Sequence, residues 1–155
     1  MAFFADKDKG EEGEQIVADI LSDKLCIDRK KIYKSDTENR EYWDLFFRYA
    51  GNKYFFECKY DLGFMKTGNI AIETSKKTGK SGLSISKASH YVFLYGKKIR
   101  IIKTEELKKN IKDNIYTTTT GGDYNNSYLT LIPSYRLEKI STDFKDFLLD
   151  INIEK

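Results

Sequence analysis

Residues 42–60 read YWDLFFRYAGNKYFFECKY, and the reading of the whole chain turns on them. Trp43, Leu45, Phe47 and Tyr49 alternate with Asp44, Phe46 and Arg48. Tyr54, Phe56, Cys58 and Tyr60 alternate with Lys53, Phe55, Glu57 and Lys59. Aromatic-rich runs of period two are the signature of strands. Ala50-Gly51-Asn52 between them supplies turn residues, Gly and Asn being able to take positive φ. A two-residue Gly51-Asn52 loop sets Asp44 opposite Lys59; a slip of one pleat sets Asp44 opposite Glu57. Both registers put Asp44, Glu57 and Lys59 on one face, and only the other parity separates them. The reverse face is apolar or aromatic and is expected to cover a core.

Three charges on a hydrophobic hairpin call for a reason. Glu57 and Lys59 stand about 7 Å apart along the strand. Two carboxylates converging on a point suit a hard cation such as Mg²⁺, which takes oxygen ligands and keeps waters. Such a cation activates water and stabilises charge on a phosphate, and a lysine beside it orients the water or neutralises developing charge. The competing reading is a solvated sheet face carrying a cross-strand Asp–Lys pair. Acid-x-Lys is common in a chain that is 33% charged: Asp28-Arg29-Lys30, Glu106-Leu107-Lys108 and Asp143-Phe144-Lys145 repeat the pattern. Only the Glu57 copy follows a strand and turn with an acid at matching parity.

At these residues the chain resembles the PD-(D/E)xK nuclease superfamily. The match is Asp44 followed by Glu57-Cys58-Lys59, with apolar residues leading into each. Trp43 stands where the family has its loosely kept proline. Gly10-Glu11-Glu12-Gly13-Glu14-Gln15-Ile16-Val17 is similar to the family's first helix, with Glu14 the better match to its acid and Glu11 the second. The resemblance spans roughly residues 10–95. It implies an α/β restriction-endonuclease-like core, a central mixed β-sheet flanked by helices. It further implies a DNA endonuclease dependent on Mg²⁺ or Mn²⁺. In that picture Asp44 and Glu57 ligate the metal with the Cys58 backbone carbonyl, Glu14 completes the shell, and Lys59 activates water. Small members with this shape include Holliday-junction resolvases and phage endonucleases, which makes branched DNA the expected partner and a homodimer or higher homo-oligomer the expected assembly. A nuclease for RNA or single-stranded flaps, and a non-catalytic DNA-binding module, are the alternatives.

The rest of the chain bears on that hairpin. Its 155 residues suit one domain, with a core over 10–103 and a C-terminal part over 104–155. A net charge of +3 does not by itself announce a nucleic-acid binder. Five lysines nevertheless cluster after the hairpin: Lys66, Lys76, Lys77, Lys80 and Lys87. Of these, Lys76, Lys77, Lys80 and Lys87 are the expected phosphate contacts, the first three on a flexible loop over 74–82. Cys26 and Cys58 make no disulfide framework and suit a reducing compartment. MAFFADKDKG is too short and acidic for a signal peptide, and no apolar run is long enough to span a membrane. The expected location is the cytoplasm of a bacterial or phage-infected cell. Glu73 reads either as a further metal-shell acid or, as the favoured reading, as a surface residue pairing with Lys76, and His90, the only histidine, reads as structural.

The pattern predicts a helix over 10–25, a strand within 26–35, the hairpin, and a short extended piece at 70–73. A short helix over 84–89, within a crossover at 82–89, leads to strands over 90–95 and 99–103. A helix over 105–114 follows, then a hairpin tip or loop over 117–126, a strand over 128–132, and a helix over 141–149 capped by Ser141.

Overall fold

The computed structural model describes residues 2–61 and 63–153. Its centre is a six-stranded mixed sheet in the order β1-β2-β3-β5-β6-β9. These strands are β1 (Tyr33–Lys34), β2 (Leu45–Tyr49), β3 (Asn52–Tyr60), β5 (His90–Tyr95), β6 (Lys98–Lys103) and β9 (Thr142–Asp143). β4 (Asn69–Lys76), β7 (Thr117–Gly121) and β8 (Ser127–Pro133) form a second sheet, ordered β4-β8-β7. The helices are α1 (Ala2–Leu25), α2 (Phe64–Thr67), α3 (Thr104–Asp113), α4 (Ser134–Ile140) and α5 (Phe144–Ile153).

The two faces of the central sheet carry two cores. On one face Leu45, Phe47, Phe56, Cys58, Val92 and Leu94 pack against Val17, Ala18 and Leu21 of α1 and Phe144 and Leu148 of α5. On the other, Tyr91, Phe93 and Tyr95 pack against Ile70 and Ile72 of β4, Ile132 of β8, Leu107 of α3 and Leu137 of α4. β5 therefore reads as an unbroken apolar run, as a strand buried on both faces must. The chain is α/β with a mixed central sheet flanked by helices. One of its faces, however, is covered largely by the second sheet.

The hairpin takes the slipped register. Leu45 pairs with Phe56, Phe46 with Phe55, Phe47 with Tyr54 and Arg48 with Lys53, so the loop is Ala50-Gly51. Both loop residues have positive φ, 50° and 81°, as a type I′ turn demands. Placing Ala50 there costs about 1–2 kcal/mol. The return is aromatic pairing across the strands: Phe46 stacks on Phe55 at 4.6 Å and Phe47 on Tyr54 at 5.0 Å. The Gly51-Asn52 loop would instead set Phe46 opposite Glu57 and Phe55 opposite Arg48.

The crossover from β3 to β5 is parallel and longer than the expected 82–89. It runs from Asp61 to Ser89 through α2, β4 and a 3-10 turn at Gly82–Ser84, which replaces the expected helix. Asp61 ties its start: Oδ1 accepts the Phe64 N–H and Oδ2 the Ala71 N–H, both at 2.9 Å. Gly82 ties its end, at φ 54°, where an added Cβ would lie 2.3 Å from the Glu73 carbonyl oxygen. Gly82→Ala is expected to destabilise the fold by about 3 kcal/mol, combining left-handed strain with a backbone clash. Gly10→Ala, inside α1 with nothing within 4 Å, is expected to stabilise it slightly. Chemical denaturation of the two variants checks the contrast.

Four further expectations change. The strand within 26–35 shrinks to Tyr33–Lys34, because Asp28 caps a 3-10 turn at Arg29–Lys31 by accepting the Lys30 N–H. Residues 117–121 are the strand β7, not a loop; their β-branched threonines pair along β8. The basic loop begins later than residue 74, since β4 runs to Lys76. Ser141 is not the cap of the last helix: it closes α4, its N–H and hydroxyl both donating to the Leu137 carbonyl, and α5 starts at Phe144.

Candidate active site

Asp44 sits where β2 parts from β3. The paired register ends at Leu45–Phe56, and the next acceptor for β3 is the Asp44 side chain, whose Oδ2 takes the Cys58 N–H at 2.8 Å. In an extended strand the N–H and C=O of one residue point to the same edge. The Cys58 carbonyl therefore faces the edge where Asp44 stands, while the Cys58 thiol is buried in the core beneath α1. Burial pushes that thiol well above its ordinary pKa, and the carboxyls of Asp44, Glu14 and Glu57 push it further, so it is no nucleophile.

Glu57 lies on the opposite face of β3 from Cys58, with Lys59 one pleat on. The Lys59 Nζ is 3.5 Å from Glu57 Oε1, and the Lys59 side chain keeps 35% of its surface open to solvent. Glu57 Oε2 is buried and no donor in the described protein reaches it. The Glu57 and Asp44 carboxyls lie close enough to shift each other's titration. Two carboxylates are both acceptors and satisfy one another only with a proton or a cation between them.

Burial and this mutual repulsion set the protonation. Desolvation raises Glu57 to about 8, Lys59 opposing and Asp44 reinforcing the rise. Desolvation also raises Asp44, against the Cys58 N–H and Lys59. Burial alone would depress Lys59, but Glu57, Tyr91, Asp44 and Glu73 together outweigh it, so its ammonium is held charged above its ordinary range. The Asp44–Glu57 pair thus shares protons as a unit.

Glu14 approaches from the helix side. Gly13 permits this, since a Cβ there would come within 3.2 Å of the Tyr60 ring on β3. Glu14 is raised to about 7 by burial first and by Asp44 second, with Lys34 and Arg40 opposing. It therefore feels the Asp44 charge; Glu11, the second candidate, is exposed. Among the described residues no three His, Cys, Asp or Glu side chains form a closed metal cage. The inner acids are the Asp44–Glu57 pair.

Two further residues bear on this site, one of them, Tyr91, without any sequence signal. Tyr91 is the direct partner of Glu57 in the parallel β3–β5 ladder and is fully buried. Burial and then Glu57 raise its phenol to about 12, with Lys59 and Ser86 opposing the rise. Glu73 is half-buried on β4, accepts the Ser127 hydroxyl at 2.6 Å, and adds to the field on Lys59. It is not the surface partner of Lys76. Neither contact follows from sequence spacing, because both depend on the crossover that brings β4 and β5 to β3.

The lysines divide. Lys87 is tied close to the site: its N–H donates to the Tyr42 carbonyl at 2.9 Å and its ammonium lies 4.3 Å from the Tyr42 ring centre. Lys76, Lys77 and Lys80 are exposed on the β4 turn, where Lys77 N–H donates to the Asn126 carbonyl. Lys66 is exposed on α2. His90 is buried among Tyr54, Phe56 and Phe147, its Nδ1 2.9 Å from the Ser89 hydroxyl. Burial lowers it to about 4, so it is a neutral core side chain.

No helix among the described residues is long and apolar enough to cross a membrane. Comparison with protein-family models, curated proteins and solved structures finds no match to this chain.

Proposed function

We propose that this chain is a divalent-metal-dependent DNA endonuclease on a restriction-endonuclease-like core, acting on branched or otherwise non-duplex DNA. The observation that carries this reading is the half-buried Asp44–Glu57 carboxyl pair, with Glu57 Oε2 buried and without a hydrogen-bond partner among the described residues and Lys59 beside it. Burying two carboxyls against each other is unfavourable unless a cation or proton joins them. Mg²⁺ and Mn²⁺ fit such a pair, because hard ions of this size take one or two carboxylates and complete their shell with water and substrate phosphate. Asp44, Glu57 and the Cys58 carbonyl would hold the ion. Bound there, it would supply Lewis acidity and neutralise charge on the scissile phosphate.

The chain's own residues do the rest. Lys59, held as an ammonium and partly open to solvent, orients the attacking water and faces the developing phosphate charge. Glu14, raised to about 7, is poised to take a proton near neutral pH. Tyr91, the ladder partner of Glu57, is fully buried beside it. The crossover that places β5 beside β3, parallel to it, supports the reading.

Plasmid and four-way-junction DNA incubated with the protein test the reading. Cleavage in Mg²⁺ and none in EDTA is expected; intact DNA under every divalent metal would remove it. The Lys59–Glu57 ion pair favours one other reading, a polar network bracing a non-catalytic DNA-binding fold, and that outcome would support it.

A further inference from the structure

The open face of the hairpin carries its side chains in rows. Tyr33, Phe46 and Phe55 are successive partners across β1, β2 and β3 and form one row. Tyr33 stacks on Phe46 at 6.1 Å and Phe46 on Phe55 at 4.6 Å, while Trp43 meets Phe55 edge-on at 5.4 Å. Phe55 is fixed at both backbone ends: Ser89 Oγ receives its N–H at 3.0 Å and its carbonyl takes the Ser89 N–H at 2.7 Å. None of these four aromatics belongs to either core. Tyr33 is 49% exposed and the other three are half-buried.

The neighbouring rows differ in charge. One pleat toward the turn, Arg48 and Lys53 are direct cross-strand partners. Like charges in that position repel, and among the described residues no carboxylate lies in ion-pair range of either. Arg48 instead lies 5.2 Å from the Phe46 ring centre. One pleat the other way stand Asp44 and Glu57. Rows along a strand are separated by roughly 6.6 Å. Lys87, over Tyr42, borders the same end as Trp43.

A half-open aromatic ladder edged by cations with no acid partner among the described residues suits unpaired bases on a phosphate strand: the outer face of Tyr33 on the edge strand and the edge-on ring of Trp43 are left for base stacking, with Phe46 and Phe55 stacked behind them, and the cations take the backbone. A base-paired duplex offers no free faces to such a surface. We propose that Tyr33, Trp43, Phe46 and Phe55 form a stacking platform for unpaired nucleobases, with Arg48 and Lys53 on the phosphates of the same strand. That the strand then leads to Asp44 and Glu57 rests on the nuclease reading; the binding of unpaired bases does not. The substrate is thereby single-stranded as it crosses the hairpin, as at a flap, a gap or a junction arm.

Trp43 is the only tryptophan and reports on the platform directly. Its emission is followed in EDTA, where no cleavage intervenes, on adding oligothymidylate, oligouridylate or a blunt duplex of equal length. Quenching by both single strands is expected, at lower concentration than by duplex; the two single strands distinguish DNA from RNA preference. Tyr33→Leu and Phe46→Leu keep the apolar bulk but remove the open ring face and the ring it rests on. Each is expected to weaken single-strand binding roughly tenfold, collapsing the preference over duplex, with thermal melts confirming the fold. Lys53→Ala is expected to reduce the slope of log affinity against log salt by about 0.7. Wild-type preference for duplex, or leucine variants that bind oligothymidylate like wild type, would overturn the platform even if the enzyme cleaves DNA. Sedimentation showing the face buried between two copies without nucleic acid would do the same. A wild type that passes these tests yet cleaves nothing would remove the nuclease reading and leave the platform standing.

Discussion

Lys59→Ala is expected to lower DNA cleavage by roughly a thousandfold while DNA affinity in EDTA changes only a few-fold. The lysine lies 3.5 Å from Glu57 and in the field of Asp44, Glu73 and Tyr91, which keeps it charged. In the proposed mechanism its charge stands where phosphate negative charge would develop, so its loss would fall on the chemical step. Lys59→Arg is expected not to restore the rate, because a planar guanidinium cannot take the position of a compact ammonium. Asp44→Asn should lose activity to a similar degree yet fold, since the asparagine carbonyl can still accept the Cys58 N–H. Single-turnover cleavage and fluorescence anisotropy separate the two effects. Wild-type rates in Lys59→Ala would reduce the residue to half of a structural ion pair.

In the absence of metal, stability is expected to fall by on the order of 2 kcal/mol between pH 6.5 and 8.5. Glu57 is raised from 4.5 to about 8 and Glu14 to about 7. An acid with a raised folded-state pKa binds its proton more tightly folded than unfolded. Its contribution is whole below the unfolded value and is lost as pH rises through the folded one. His90 acts in the opposite sense at lower pH: lowered from 6.5 to about 4, it withdraws stability as pH falls through that interval. Above pH 6.5 the acids act without that opposition, which sets the window. The melting temperature should drop by about 5 °C across it. Mg²⁺ in large excess should reverse the loss by about 2.7 kcal/mol at a hundred times its dissociation constant. Glu57→Gln should flatten the pH curve and abolish the metal response. A wild-type melting temperature that is level from pH 6.5 to 8.5 would contradict the half-buried carboxyl pair.

The hairpin was legible because side-chain direction in a strand has period two. Asp44, Glu57 and Lys59 share a parity, and that held through the slip in register. The register itself was not legible, because cross-strand pairing of Phe46 with Phe55 outweighed the more permissive Gly51-Asn52 loop. Tyr91 was hidden for a different reason. Its place beside Glu57 depends on a parallel pairing across a connection of almost thirty residues, which local pattern does not encode. Asp61 and Glu73 show the converse: both are acids near the hairpin, yet one braces two backbone N–H groups and the other a serine. Only the partners, not the residue type, separate them from Asp44.

The most direct test of the central claim is an anomalous difference map from crystals of the wild-type protein soaked in Mn²⁺. The account predicts one peak with oxygens of both Asp44 and Glu57 about 2.0–2.6 Å away, and its loss in Asp44→Asn. A map without a peak there, with the Lys59 ammonium still bridging to Glu57, would contradict it.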